Sequence, residues 1–413
     1  MKTRRIIVKM REGHALSDLL SSDKITFKAE ALGQFEGDEN ANSHLDPFSK
    51  KNDIPEKEHY NAPFYHKLGK MDKETYRTFK IDCANEEEFR KVMDSCENQK
   101  GKVELLYEDG LIYLHAPPPN DPEFIKTQRK IYDQLGVEEC WDFVRGTSQI
   151  VGVIDTGVLT THPDIAQNLW KRGTQVGYTY PNSQRMEDTA GHGTPVAGII
   201  GGIGNNGIGI VGAAPEALVQ MHKLFLRGTE EFMSQAQTAI NTAKQDKIRI
   251  MNCSFGIESS FRNTDAEREF QRCINSLSDT ILFVFSSGNG TDNDLNRIDI
   301  STTFLNELPN VLKVGALDGN NQKASYSNFG RDVVYAYGDI MSTNNTNSYA
   351  MFHHTSAAAP QVSGICALLM SAFPHVPVQK IRNAILMTAN HENDRVNAIG
   401  ALKLLQQQES IFV

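Results

Sequence analysis

Nowhere in the 413 residues does an apolar run grow long enough to span a bilayer, which argues against a membrane partner. No basic stripe interleaved with aromatics appears, and the net charge is −9, so nucleic acid is not the expected partner either. Six cysteines are present, Cys83, Cys96, Cys140, Cys253, Cys273 and Cys366, without any C-x-x-C spacing. Buried free thiols are the simplest reading, above all for Cys253 and Cys366 in their apolar segments; disulfides and metal ligation are the alternatives. An export signal is missing too. The basic start Met1–Arg5 is followed by an apolar stretch that Lys9 and Arg11 break at once. That start implies a cytoplasmic protein, or a secreted one if the N-terminus was trimmed. There is no internal repeat.

What is present divides the chain in two. Residues 1–118 read as a small α+β, ferredoxin-like domain. Strands are expected at Arg4–Met10, Tyr76–Ile81, Lys102–Tyr107 and Leu111–His115, with a helix at Glu86–Glu97. Its polar insert, about 28–73, has no hydrophobic periodicity and reads as a long loop. The prolines of Ala116–Pro122 forbid helix and mark a linker. In 119–413, short runs rich in Val, Ile, Leu and Phe alternate with helical segments: Gln149–Ile154, Ala217–Phe225, Arg249–Phe255, Ile281–Ser286 and Val311–Leu317. Strands that apolar are buried on both faces, so the expected fold is α/β, a doubly wound parallel sheet with helices on both faces. Sites in such folds lie at the carboxyl ends of the strands.

Four segments there hold chemistry-bearing residues. Asp155 follows the strand Ile150–Ile154; alone, it could equally be a turn aspartate. His192 stands between Gly191 and Gly193 before a small-residue helix, where a lone histidine is commonly structural. Asn289 follows the strand Ile281–Phe285 in Ser286-Ser287-Gly288-Asn289-Gly290, as a side-chain donor or as a turn asparagine. Ser356 opens the apolar helix after Thr355, either as an N-cap or as a group at a helix N-terminus, where anions are favoured.

Taken together, in the order Asp…His…Asn…Ser on a parallel sheet, these segments resemble the subtilisin-like proteases, the subtilases. The resemblance spans roughly Asn120–Leu405. It includes Val151–Val158, His162-Pro163-Asp164, Gly191–Gly198, Asn252–Gly256, Gly288-Asn289, Ala324–Gly330, Thr355–Gly364 and Val396-Asn397-Ala398. It implies a serine endopeptidase with Ser356 as nucleophile, His192 as general base and Asp155 orienting the imidazole. Asn289 and the Ser356 N–H would form the oxyanion hole, and Ser254-Phe255-Gly256 would pair with a protein or peptide substrate.

No cofactor is required for that chemistry. The stretch Gly202-Ile203-Gly204-Asn205-Asn206-Gly207 matches a dinucleotide fingerprint in letters only, since it follows a helix and precedes a strand. The resemblance makes it a structural Ca²⁺ loop, with oxygens from Asp164, Asn206 and carbonyls near Gly204, Ile208 and Ile210. It also makes residues 1–118 a propeptide that assists folding and lies in the cleft, as in a zymogen. Four positions depart from the pattern: His354 for Gly, Ala357 for Met, Gln361 for His and Tyr337 for Pro. They motivate a rival reading, a weakly active scaffold that binds peptides. An esterase is excluded, because Gly-x-Ser-x-Gly with histidine last in order is lacking.

Overall fold

The computed structural model describes residues 4–10, 28–31, 77–83, 90, 92, 103–108, 118–180, 185–224, 229–255, 264–290, 297–301, 303–306 and 308–410. The chain forms two compact units, Met1–Ile112 and Tyr113–Phe412. The first contains an antiparallel sheet of β1 (Arg4–Met10), β2 (Lys28–Ala31), β3 (Arg77–Cys83) and β4 (Val103–Glu108), in the order β2–β3–β1–β4. Strand β2 occupies the first four residues of the stretch expected as a long loop, the rest of which lies outside the described residues. Its Lys-Ala-Glu-Ala sequence alternates with the two-residue period of a strand, and Lys28 pairs with Asp82 of β3. The expected strand Leu111–His115 lies outside the described residues, as does most of the expected helix, of which Arg90 and Val92 are helical.

The second unit is built on β5 (Ile150–Asp155), β8 (Tyr178–Tyr180), β9 (Leu218–Leu224), β10 (Ile250–Cys253), β11 (Leu282–Ser286), β12 (Val311–Leu317) and β13 (Val333–Tyr337). The short strands β6 (Lys171–Arg172) and β7 (Gln175–Val176) pair apart from it. The main sheet runs β13–β12–β11–β10–β5–β9–β8, with every pair parallel. Alternate side chains feed two cores. Val151 and Val153 of β5, with Leu282 and Val284 of β11, face one; Ile154, Phe283 and Phe285 face the other. Both faces are buried, which explains the nearly continuous apolar runs.

Helices cover both faces: α1 (Arg129–Gln134), α2 (Val137–Cys140), α3 (Gly193–Gly201), α4 (Thr229–Gln245), α5 (Asp265–Asn275), α6 (Thr355–Ala372), α7 (Val378–Thr388) and α8 (Ala398–Ser410). Helix α4 buries Met233, Ala236, Ile240 and Ala243, one stripe at helical spacing. Helix α6 is buried nearly all round, from Thr355 to Met370, as expected of a central helix. An antiparallel ribbon, β14 (Asp339–Thr343) and β15 (Tyr349–His353), leads into it. The chain passes from β9 on one side of β5 to β10 on the other, so the strand order reverses at β5. Asp155 ends that strand, where a crevice opens in such sheets.

Cys140, Cys253 and Cys366 are buried free thiols, and Cys273 is a half-buried one. No described helix is long and apolar enough to cross a membrane.

Candidate active site

Three loops meet at this crevice. Asp155 is nearly buried, and its Oδ1 accepts the Thr156 N–H at 2.7 Å. His192 is the N-cap of α3, and its Nδ1 lies 2.8 Å and 3.1 Å from the two Asp155 carboxylate oxygens. Gly193 makes that approach possible: a Cβ there would fall 2.1 Å from the Gly157 carbonyl oxygen and 3.2 Å from Asp155. Burial alone pushes the imidazole pKa down. The charge and hydrogen bond of Asp155, with the charge of Asp188, outweigh it and hold His192 above its ordinary value. The Phe352 ring of β15 packs edge-on against the imidazole at 5.1 Å.

Ser356 is the second residue of α6, in a first turn whose N–H groups lack helical acceptors. Its Oγ donates to the Ser254 carbonyl oxygen at 3.2 Å, and Ser254 Oγ donates back to the Ser356 carbonyl oxygen at 3.2 Å. Pro360 explains why that carbonyl is available. As the sixth residue of α6 it has no N–H to return to Ser356, four positions earlier. One helical bond is lost there, and the Ser254 hydroxyl replaces it. Ser254 is fixed in turn by Asn252, whose Nδ2 donates to Ser254 Oγ at 2.9 Å.

Asn289 sits between Gly288 and Gly290, both at positive φ (93° and 92°). Its Oδ1 accepts the Thr355 N–H at 3.0 Å and the Thr355 hydroxyl at 2.8 Å. The amide is therefore turned with its N–H₂ end as the remaining donor, its oxygen held by Thr355, the residue before Ser356. Asn328 braces this turn by accepting the Gly290 N–H at 3.1 Å and donating to the Ser287 carbonyl oxygen at 3.0 Å.

A cavity of about 280 Å³ lies alongside, lined by Asp155, His192, Leu224, Phe232, Ser254 and Phe255. Phe255 is held edge-on by Phe232 and Phe285. Gly256 lies outside the described residues. Leu224 and Phe232 were not singled out in the sequence. Leu224 follows the rule that placed Asp155, since it ends the adjoining strand β9.

The four departures have local explanations. His354 adopts φ 72° and ψ −169°, a conformation suited to Gly, and its exposed ring meets Tyr326 edge-on at 4.8 Å. Gln361 and Tyr337 compensate one another. Gln361 Nε2 donates to the Tyr337 carbonyl oxygen at 2.7 Å, and its Oε1 accepts the Tyr337 N–H at 3.3 Å. Ala357 is fully buried. His353 and His354 have separate partners, His353 pairing with Asp339 at 2.6 Å.

Asp164 and Asn206 also meet, through Asn206 Nδ2 donating to Asp164 Oδ1 at 2.7 Å, while Ile210 N–H donates to Oδ2 at 2.8 Å. A residue unmarked in the sequence joins them. Asp121, at the end of the proline segment, is fully buried and accepts the Asn205 and Asn206 N–H groups at 2.8 and 3.2 Å. Pro118–Pro122 is thus no free linker at its far end, where Asp121 and Asn120 fasten it to the 205–207 loop. Burial raises both carboxyls, Asp164 to about 6, and Asp121 adds to the rise on Asp164. Among the described residues, no group of three or more His, Cys, Asp or Glu converges as a metal cluster. The donor set is two buried carboxylates and a carboxamide, hard oxygens that suit Ca²⁺ once the Asn206 amide turns.

A fully parallel sheet whose strand β5 ends in Asp155, which holds His192, with Ser356 in the first turn of α6, fits a hydrolase of the serine type. The sequence model of the subtilase family matches residues 146–402. A thermophilic serine proteinase of Bacillus sp. (strain AK1) is 34% identical over 71% of this chain and 68% of its own length. Thermitase of Thermoactinomyces vulgaris is 28% identical over 68% of this chain and 94% of its own length. Among solved structures, a protease of Pseudoalteromonas arctica PAMC 21717 superposes with a TM-score of 0.54 at 23% identity, covering 70% of this chain and 99% of that one. The chain belongs to the subtilase family and is a subtilisin-like serine endopeptidase.

Proposed function

We propose that Asp155, His192 and Ser356 are the catalytic triad of this endopeptidase. The observation that supports this best is the buried Asp155 held on His192 Nδ1, in the crevice where Ser254 positions Ser356 Oγ. For catalysis the Ser356 hydroxyl turns from the Ser254 carbonyl to His192. His192 takes its proton as Oγ attacks the scissile carbonyl carbon. The resulting oxyanion is met by the Asn289 N–H₂ and the Ser356 N–H. His192 then passes the proton to the leaving amine, and water, activated by the same base, releases the acyl group. Ser254 and Phe255 align the substrate backbone, and Leu224 and Phe232 bound a pocket for its side chains.

The reading includes two further parts. Asp121, Asp164 and Asn206 hold a structural Ca²⁺ that fixes the 205–210 loop and takes no part in the chemistry. The N-terminal unit assists folding and inhibits the site. Full-length protein should hydrolyse unfolded casein, and Ser356→Ala should not. A fluorophosphonate should label only the former, and equal hydrolysis by both would sink the triad. Intact masses of the two would show whether Ser356 removes the N-terminal unit.

A further inference from the structure

Behind His192 lies a second carboxylate. Asp188 is buried, four residues before His192. Its Oδ1 accepts the Thr156 hydroxyl at 2.7 Å and the Gly191 N–H at 2.8 Å, and its Oδ2 accepts the Thr194 N–H at 2.8 Å. Thr156 Oγ1 in turn accepts the Gly193 N–H at 3.0 Å. One side chain therefore grips the backbone before and after His192 and ties both to the residue next to Asp155. Without it, two peptide N–H groups flanking the histidine and one hydroxyl would lose their acceptor in a largely buried place.

The structure assigns Asp188 the role of a positioning residue: it sets the His192 imidazole against Asp155 and adds negative charge behind it. This rests on the triad reading above. The charged groups acting on the imidazole are Asp155 from β5 and Asp188 from its own loop. Lys223 of β9 donates to the Glu187 carbonyl oxygen at 2.5 Å, and the charges of Asp188 and Glu187 act on its ammonium group. The ribbon packed on the ring contributes the uncharged Phe352. A second anion favours the imidazolium that forms when His192 accepts the serine proton, so Asp188 acts on the base without touching substrate.

The test reads His192 directly. In full-length Ser356→Ala protein, the imidazole is titrated by NMR with and without Asp188→Asn. The substitution should lower the His192 pKa by roughly 0.5–1 unit. A folded Asp188→Asn protein with an unmoved titration overturns the proposal. Should that variant fail to fold, Thr156 decides in the enzyme with Ser356 intact. Thr156→Val should lower kcat about 10–100-fold at unchanged KM, and Thr156→Ser should restore it. Equal kcat for the valine and serine variants overturns the proposal. Because the NMR titration needs no turnover, its result stands apart from any failure of the wild-type protein to cleave casein.

Discussion

The Asn289 amide offers one end only, its N–H₂ group. Thr355 occupies the oxygen twice, so the amide cannot rotate without breaking two bonds. In subtilisin itself, removing the corresponding donor lowers kcat about 10²–10³-fold. The same range is expected for Asn289→Ala, with KM nearly constant; an unaltered kcat in steady-state assays would exclude Asn289 from the oxyanion hole. With His192 as the proposed general base, its raised pKa should set the acid limb of the pH profile. The base works only when neutral, and a raised pKa keeps it protonated to a higher pH. The kcat/KM should therefore climb through a midpoint above the ordinary 6.5, and a midpoint below it would contradict the charge balance described. At this scale the sequence displayed Asp155, His192, Asn289 and Ser356 because each stands at a strand or helix end among glycines and small residues. Asp188 and Asp121 were hidden. They sit in polar or proline-rich stretches, and only the folded backbone shows how many N–H groups each one accepts.

Among the elements, α6 has the most to reconcile: a proline in its sixth place, a buried glutamine and a positive-φ histidine at its cap. Gln361 resolves part of this by holding the Tyr337 backbone of β13 and the Ala357 carbonyl of its own helix. Gln361→Ala should strand these buried groups and destabilise the fold by about 1–3 kcal/mol, seen as a lower Tm. An unchanged Tm would mean that the pairing with Tyr337 is incidental. The core strands β5, β9, β10, β11 and β12 were legible within a residue or two because burial on both faces demands apolar runs. Edge strand β8 and the ribbon β14–β15 were not. Their sequences mix Tyr, Thr, Ser, His and Asp, and pairing partners rather than composition make them strands. The ribbon matters nonetheless, since it brings Phe352 to His192.

Across the catalytic unit as a whole, the two buried carboxylates Asp121 and Asp164 join the start of the unit to the loop that follows α3. Calcium should raise the Tm of the full-length protein, EDTA should lower it, and Asp164→Asn should abolish the difference. Identical melting curves with and without the ion would remove calcium from the account. The parallel sheet explains why fold class could be read from sequence while the crevice could not: alternation of strands and helices specifies layers, but which loops meet depends on the strand order.

That strand order also has a consequence for synthesis. Strand β5, which ends in Asp155, needs β9 on one side and β10 on the other, and Ser356 opens a helix made only after β13 and the ribbon. A chain emerging from the ribosome therefore carries Asp155 for some two hundred residues, and His192 for some one hundred and sixty, before Ser356 exists. On the proposed triad the cutting arrangement is completed late, and a copy terminated before Ser356 lacks its nucleophile and can damage neither itself nor its neighbours.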